Sequence, residues 1–363
     1  MKNIDKVFII AEIGVNHNGS LAIAKSLIDV AAEAGADAVK FQTFNTEQNI
    51  SPHAPKAAYQ VKNTGLIETQ YEMVKKLELS QKIHFTLMEY CVSKNIRFLS
   101  TPFDLQSLDF LVHSLNLPII KIASGEITNA PLLLKAGRYG KKIILSTGMS
   151  TLGDIEEALG VLAFGYIEGM ERNKNPSHTA FKEAYCSEKG QMLLRQNVSL
   201  LHCTTEYPAP FEEINLRVLN TLHQCFGLPV GYSDHTLGIA LPIAAVALGA
   251  VIIEKHITLD RKLPGPDHKA SLEPEELFQM VQGIRQTEKA VGNSYKIPVP
   301  SEFKNQKIVR KSIVAACNIY KGELFTQENL TVKRPEEGLS PLQFWNLLGE
   351  TAQRDYLKDE VIK

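Results

Sequence analysis

Short apolar runs alternate along the chain with stretches whose apolar positions recur every three or four residues, and most of the apolar runs close on polar residues. Runs of the first kind predict buried strands, and stretches of the second kind predict amphipathic helices. Residues 7–14 (VFIIAEIG) open the series, and NHNGS after them supplies a turn and a cap for a helix over 21–34. Further strands are expected at 38–44, 97–103, 119–124, 142–148, 198–204, 229–234 and 251–259. Helices fit at 105–116, 131–139, 154–164, 241–248 and 274–291, and a long connection through 51–65 leads into a helical stretch over 68–95 with one break. Eight βα units within about 290 residues predict an α/β chain folded as a (β/α)8 TIM barrel rather than an open sheet.

The rhythm breaks twice. About fifty residues separate the fifth and sixth strands, and 168–195 are polar, charged and weakly periodic, which predicts a peripheral insertion at about 165–196. Residues 292–308 lack periodicity and carry two prolines, which predicts a linker after a catalytic barrel of 1–291. Beyond it, 309–363 hold short strand signals and turns, the pattern of a small β-rich domain. A unit of about 55 residues is marginal alone, so it is expected to pack on its own barrel or on a neighbouring subunit.

Composition narrows the function. Of the 363 residues 44% are hydrophobic and 22% charged, an ordinary balance for a globular protein with a sizeable core. A formal net charge of −1 with no dense basic run argues against nucleic acid as a partner. The five cysteines (Cys91, Cys186, Cys203, Cys225 and Cys317) are scattered without CxxC spacing, so neither a disulfide framework nor a zinc knuckle is expected and a reducing cytoplasm suits them. The apolar run at 7–10 is too short for a signal peptide and is interrupted by Glu12, and no later run suggests a membrane span.

Barrels of this kind carry their chemistry at the C-terminal ends of the strands. This chain places there Glu12, Asn16, Lys40, Gln42, Thr101, Lys121, Ser124, Glu126, Ser146, Thr147, His202, Thr204, Tyr207, Ser233, His235 and His256. Neighbouring strands lie roughly 5 Å apart, so His235 and His256 on the last two strands could share a metal ion. The turn Gly265-Pro266-Asp267-His268 would bring a carboxylate and a third imidazole toward the same edge. Each feature has a structural alternative: a hydrogen-bonded histidine pair, lysines that only snorkel, a helix cap in Ser146-Thr147-Gly148, a small core residue in Cys203. Their meeting at one end of one barrel favours function. Two lysines among hydroxyls suit a phosphate, Glu12 and Glu126 suit acid–base work, and a two-histidine metal suits Lewis-acid activation of a carbonyl.

The motifs AEIGVNHNGS, KFQTF, STPFD, KIASGEITN, LSTGMS, LHCTTEYPAPF, GYSDHT, EKHITLD and GPDHKASLEP, in this order, closely resemble bacterial sialic acid synthases, also called N-acetylneuraminate or nonulosonate synthases. The tail from RKSIVAA through KGELFTQENLTVKRP resembles their C-terminal antifreeze-like (SAF) domain, so the resemblance covers nearly the whole chain. It implies condensation of phosphoenolpyruvate with an N-acylated mannosamine-type sugar, with release of phosphate. Carried over by motif, it implies that His235 and His256 hold a divalent metal, manganese by expectation with magnesium or cobalt as alternatives. Lys40, Thr101, Lys121, Ser124, Ser146 and Ser233 would bind phosphoenolpyruvate, and Glu12, Gln42, Asn63, Tyr207, Asp267 and Arg334 would bind the sugar. Glu126, with Glu12 and Lys40, would be catalytic, Glu126 handling the proton of the attacking water.

The resemblance further implies a cytoplasmic, domain-swapped homodimer in which the SAF domain of one subunit caps the partner's barrel, working in surface polysaccharide biosynthesis. The acceptor expected is N-acetylmannosamine, giving N-acetylneuraminate. The alternative is a legionaminate synthase using 2,4-diacetamido-2,4,6-trideoxymannose, and a remote alternative is a non-catalytic carbohydrate-binding protein. Three features depart from the family pattern, one of them the stretch 168–195, which matches no segment of the family. Thr204-Thr205 stand where some members carry Asn after the cysteine, and Arg310 stands where others are apolar, to meet either a sugar substituent or a surface carboxylate.

Overall fold

The computed structural model describes residues 6–65, 67–171 and 174–363. Eight strands, β1 (Phe8–Gly14), β2 (Ala38–Thr43), β3 (Arg97–Pro102), β4 (Ile119–Ile122), β5 (Lys142–Ser146), β6 (Val198–Cys203), β7 (Val230–Asp234) and β8 (Ile252–His256), all run parallel in the order β3-β2-β1-β8-β7-β6-β5-β4. The pairing of β1 with β8 curls the sheet round, and β3 and β4 meet at the remaining seam, so the expected barrel is present. Every strand lies inside the stretch predicted for it.

Alternation along the strands sorts the residues into two faces. Outward-facing Ile9, Ala11, Ile13, Val39, Phe41, Tyr232 and Ile253 join the main core beneath the helices. Inward-facing Ile10, Ala38, Leu99, Ile144, Leu201 and Ile252 form a separate apolar plug inside the barrel. Two residues farther along the same strands stand Glu12, Lys40, Thr101, Ser146, Cys203 and Glu254, all buried. The helices are begun and ended by local chemistry: Ser20 caps Leu21–Ala34 by accepting from the Ile23 N–H, and Gly35, at φ 82°, closes it in the left-handed region.

Two stretches hold more helix than their sequence pattern predicts. The stretch expected to be a peripheral insertion is helical: Leu152–Glu171 extends beyond the predicted helix, and His178–Cys186 and Glu188–Asn197 follow, capped by Ser177 and Ser187. Residues 172 and 173 of that stretch lie outside the described residues. Ala184, Leu193 and Leu194 are buried in the main core, so these helices belong to the barrel's outer layer. The expected linker also contains a helix, Pro300–Val309, started by Pro300 and by Glu302, which accepts from the Val299 N–H.

By compactness the chain divides into Met1–Gly292 and Asn293–Lys363. In the second unit β9 (Ser312–Ala315) pairs antiparallel with β10 (Leu330–Lys333) over a small core of Ile313, Ile319, Phe325, Leu330, Tyr356 and Ile362. Arg310 lies 3.7 Å from the Glu336 carboxylate at the surface, the second of the two partners expected for it. No helix among the described residues is long and apolar enough to cross a membrane.

Candidate active site

The inward polar layer opens into a cavity of about 390 Å³ at the C-terminal ends of the strands. Lys40 stands at its floor, with Nζ 2.7 Å from Glu12 Oε2, 3.6 Å from Glu254 Oε2 and donating to Thr101 Oγ1 at 3.1 Å. Lys121 Nζ and Ser233 Oγ donate to Glu254 Oε1 at 3.2 and 2.8 Å. Burial raises the Glu12 carboxyl to about 7 against the pull of Lys40, and Glu254 beside it adds to the rise. Burial also works against the Glu254 charge, but Lys121 and Lys40 outweigh it and hold this carboxyl at about 2. Lys121 is lowered by burial, which Glu254 partly offsets. Sequence reasoning left Glu254 out of the site as part of a polar run; its place two residues after inward-facing Ile252 is the signal that finds it.

The two histidines stand beside this charge cluster with ring centroids 5.6 Å apart. His235 Nδ1 lies 2.6 Å from the Thr204 carbonyl, which can only accept, so Nδ1 carries the proton and Nε2 keeps its lone pair. His256 Nδ1 is buried without a partner. Burial lowers His235 to about 4 and His256 well below its usual value, so both rings are neutral near pH 7. An oriented neutral imidazole and an orphaned ring nitrogen suit a shared metal. Among the described residues no group of three His, Cys, Asp or Glu side chains is set to hold a metal, so open positions would be left for other ligands. His268 does not join them, because its Nδ1 bonds Thr258 Oγ1 at 2.7 Å and its Nε2 faces Asn18 Oδ1 at 3.3 Å.

Gly14, at φ 53°, shows how tightly the neighbouring wall is built. A Cβ there would lie 3.1 Å from Glu12 Oε1, 3.3 Å from His256 Cε1 and 3.4 Å from Gln42 Nε2, so these three side chains converge on the space a side chain would fill. Tyr207 packs on His235 at 4.1 Å between ring centroids and on Tyr59 at 5.0 Å, and Asp267 lines the same cavity with its carboxyl pushed up to about 7 by burial. Ser124 Oγ accepts from the Gly148 N–H at 3.0 Å and lies 3.1 Å from Cys203 Sγ. The Thr205 hydroxyl, at a position where the family pattern differs, lines the cavity and is buried without a partner.

Other predicted residues take different places. Asn63 donates to the Pro266 carbonyl at 2.7 Å, tying its helix (Ala58–Thr64) to the loop that carries Asp267. Glu126 is half-buried in the turn after β4, where Oε2 accepts from Asn129 Nδ2 at 2.6 Å and burial raises its carboxyl; it is not among the lining residues. Asn16 donates to the Ile257 carbonyl and Ser271 Oγ, Thr147 to the Leu201 carbonyl, and His202 Nε2 to the Ile214 carbonyl, all structural brackets. Arg334 is exposed in the second unit.

Comparison with known proteins shows the family of the chain. The NeuB family profile matches residues 27–296 and the SAF domain profile matches 310–363. The chain is 52% identical to an N,N′-diacetyllegionaminic acid synthase of Campylobacter jejuni over 99% of each chain. It is 44% identical to an N,N′-diacetyllegionaminic acid synthase of Legionella pneumophila, over 94% of this chain and 89% of that one. The crystal structure of an N-acetylneuraminic acid synthetase of Leptospira borgpetersenii, 35% identical, superposes with a TM-score of 0.66 over 83% of this chain and 90% of the other.

Proposed function

The chain belongs to the NeuB family and carries a SAF domain, and from that premise we propose that it condenses phosphoenolpyruvate, 2,4-diacetamido-2,4,6-trideoxymannose and water to N,N′-diacetyllegionaminic acid and phosphate. The acceptor expected first, N-acetylmannosamine, gives way to the alternative because the relatives at 52% and 44% identity are both N,N′-diacetyllegionaminic acid synthases. The observation that carries the reaction is one cavity holding two buried lysines beside two neutral imidazoles.

In this reading Lys40 and Lys121 meet the phosphate and carboxylate of phosphoenolpyruvate, aided by the hydroxyls of Thr101, Ser124, Ser146 and Ser233. The enol carbon C3 bonds to the aldehyde carbon of the open-chain sugar, the carbonyl oxygen takes a proton, and positive charge develops at C2. Water adds to C2 and loses a proton to give a C2 hydroxyl beside the phosphate ester. The ester's C2–O bond then breaks, phosphate leaves with the bridging oxygen and takes up the hydroxyl proton, and the former hydroxyl becomes the 2-keto carbonyl. Gln42, Tyr207, Asp267 and Glu12 position the sugar, and Glu12, with a carboxyl near 7, can carry the proton delivered to the aldehyde oxygen. Glu126, raised by burial beside the loop that bears Ser124, receives the proton of the water once its side chain turns from Asn129. His235 and His256 would hold a divalent cation, manganese in our reading, whose chemistry is Lewis-acid polarisation of the aldehyde.

Asn63 acts by holding the loop of Asp267. The small core of the second unit suits packing on a neighbour, and in our reading the protein is a domain-swapped homodimer of the cytoplasm in which Arg334 of one subunit reaches the partner's sugar. The test is phosphate release from phosphoenolpyruvate with Mn2+, comparing the two acceptors. Faster turnover of the 2,4-diacetamido sugar is expected. Faster turnover of N-acetylmannosamine would overturn the choice of acceptor, and silence with both would overturn the reaction.

A further inference from the structure

Behind the two histidines, on the outer face of the same strands, lies a second polar cluster that the proposed chemistry does not use. Asp234, Lys255, Tyr232 and Thr236 are all 0% exposed. Lys255 Nζ donates to Asp234 Oδ2 at 2.5 Å and to the Thr236 carbonyl. Asp234 Oδ1 accepts from the Tyr232 hydroxyl at 2.8 Å and from the Thr236 N–H at 2.9 Å. A buried ion pair is a poor means of adding stability, since desolvation can cancel the attraction. Its retention here needs another reason.

The register supplies one. Asp234 and Lys255 are directly paired across the β7–β8 ladder, at its C-terminal end. One residue farther along the chain, facing the opposite way, stand His235, just past the end of β7, and His256, the last residue of β8. Lys255 grips residues on both sides of His235, the carboxylate of Asp234 and the carbonyl of Thr236, while its own strand continues directly into His256. We propose that the Asp234–Lys255 pair is a positioning device for the two histidines, fixing the distance between the imidazoles from behind so that they are spaced for a divalent cation before it arrives. This inference rests on the metal reading above, and it assigns to the ion pair a role in preorganisation rather than in contact.

The test is Mn2+ binding to the full-length protein, measured by calorimetry and by the spin-resonance signal of free Mn2+, alongside thermal unfolding. Wild type, His235→Ala and His256→Ala establish whether the histidines bind metal; if all three bind Mn2+ alike, the metal reading fails. The double variant Asp234→Asn/Lys255→Met removes both charges together, leaves Asn Oδ1 to accept from Tyr232 and Thr236, and avoids stranding one buried ion. It is expected to unfold within a few degrees of wild type yet to bind Mn2+ about 10- to 100-fold more weakly, the range typical for losing groups that orient metal ligands. A folded double variant with wild-type Mn2+ affinity would overturn the positioning role while leaving the metal reading intact. Tyr232→Phe, which removes one hydroxyl from the cluster, guards against a misfolded double variant. It is expected to weaken Mn2+ binding two- to threefold, and unchanged affinity there would likewise count against the proposal.

Discussion

The inside of the barrel changes character within two residues. Ile10, Leu99, Ile144, Leu201 and Ile252 plug the barrel, and two positions along the same strands Glu12, Thr101, Ser146, Cys203 and Glu254 line a polar cavity. Backbone, hydrogen-bond ladder and direction are shared, and only the side chains differ. The plug lowers the free energy of the folded chain by removing apolar surface from water. The layer above it does the opposite: carboxylates, lysines and imidazoles are held out of water with some of their atoms unpartnered, at a cost that only a ligand recovers. Stability and chemistry are stacked along one axis, which makes each separately open to attack.

His235→Ala or His256→Ala should show the division most sharply, cutting metal-dependent phosphate release on the order of 10²–10³-fold, as expected when one preorganised electrophilic group is lost. Chemical denaturation should register little change, since each truncation only enlarges an existing cavity; an equal loss of stability would erase the contrast. Leu99→Ala in the plug should do the reverse, lowering the unfolding free energy by about 2–5 kcal/mol while turnover per folded molecule is kept. Both quantities are read from a urea titration and an assay on the same preparation.

Asp267 tests the layer through pH. Its carboxyl is raised from 3.8 to about 7 by burial, so between those values the folded protein holds a proton that the unfolded chain has lost. That contribution is fully present below the unfolded pKa and is lost as pH rises through the folded one, with a slope of up to about 1.4 kcal/mol per pH unit between 4 and 7. Asp267→Asn should flatten this slope in metal-free protein and leave it more stable than wild type at pH 8; an unaltered profile would mean the carboxyl is not buried as described. The smallest effect is expected at Thr205, whose orphaned hydroxyl faces the cavity. Thr205→Val should raise the KM for phosphoenolpyruvate about tenfold, the order of one hydrogen bond to a charged group, without moving the denaturation midpoint.

The barrel was legible because buried parallel strands are apolar and end abruptly in polar residues, so the strand positions and the chemistry share one signal. Lys40, Thr101, Lys121, Ser146 and Ser233 were found this way. Glu254 was missed because Glu254-Lys255-His256 looks uniformly polar, and only alternation separates two inward residues from the outward Lys255. The helices His178–Cys186 and Glu188–Asn197 were missed because their stability comes from burying Ala184, Leu193 and Leu194 against the barrel, a tertiary effect that overrides a polar composition. His268 looked like a third imidazole by spacing, but the loop turns its ring onto Thr258 and Asn18. Asn63 was placed near the site without its partner, the Pro266 carbonyl 203 residues away, which no local pattern reveals, and Glu126 without Asn129, which lies only three residues on and caps the next helix.

The alternation in β8 also sets which kinds of change this protein can accept. Ile252, Glu254 and His256 face the interior while Ile253 and Lys255 face the helices. Deleting a single residue upstream within that strand would exchange the two faces, driving Lys255 into the cavity and turning its neighbours out among apolar side chains. Substitutions at the mouth can therefore retune the chemistry one group at a time, whereas a change of length inside a strand rewrites the whole site at once. A change of length is tolerated far more readily in the connections, such as the helical stretch between β5 and β6, where no strand register is at stake.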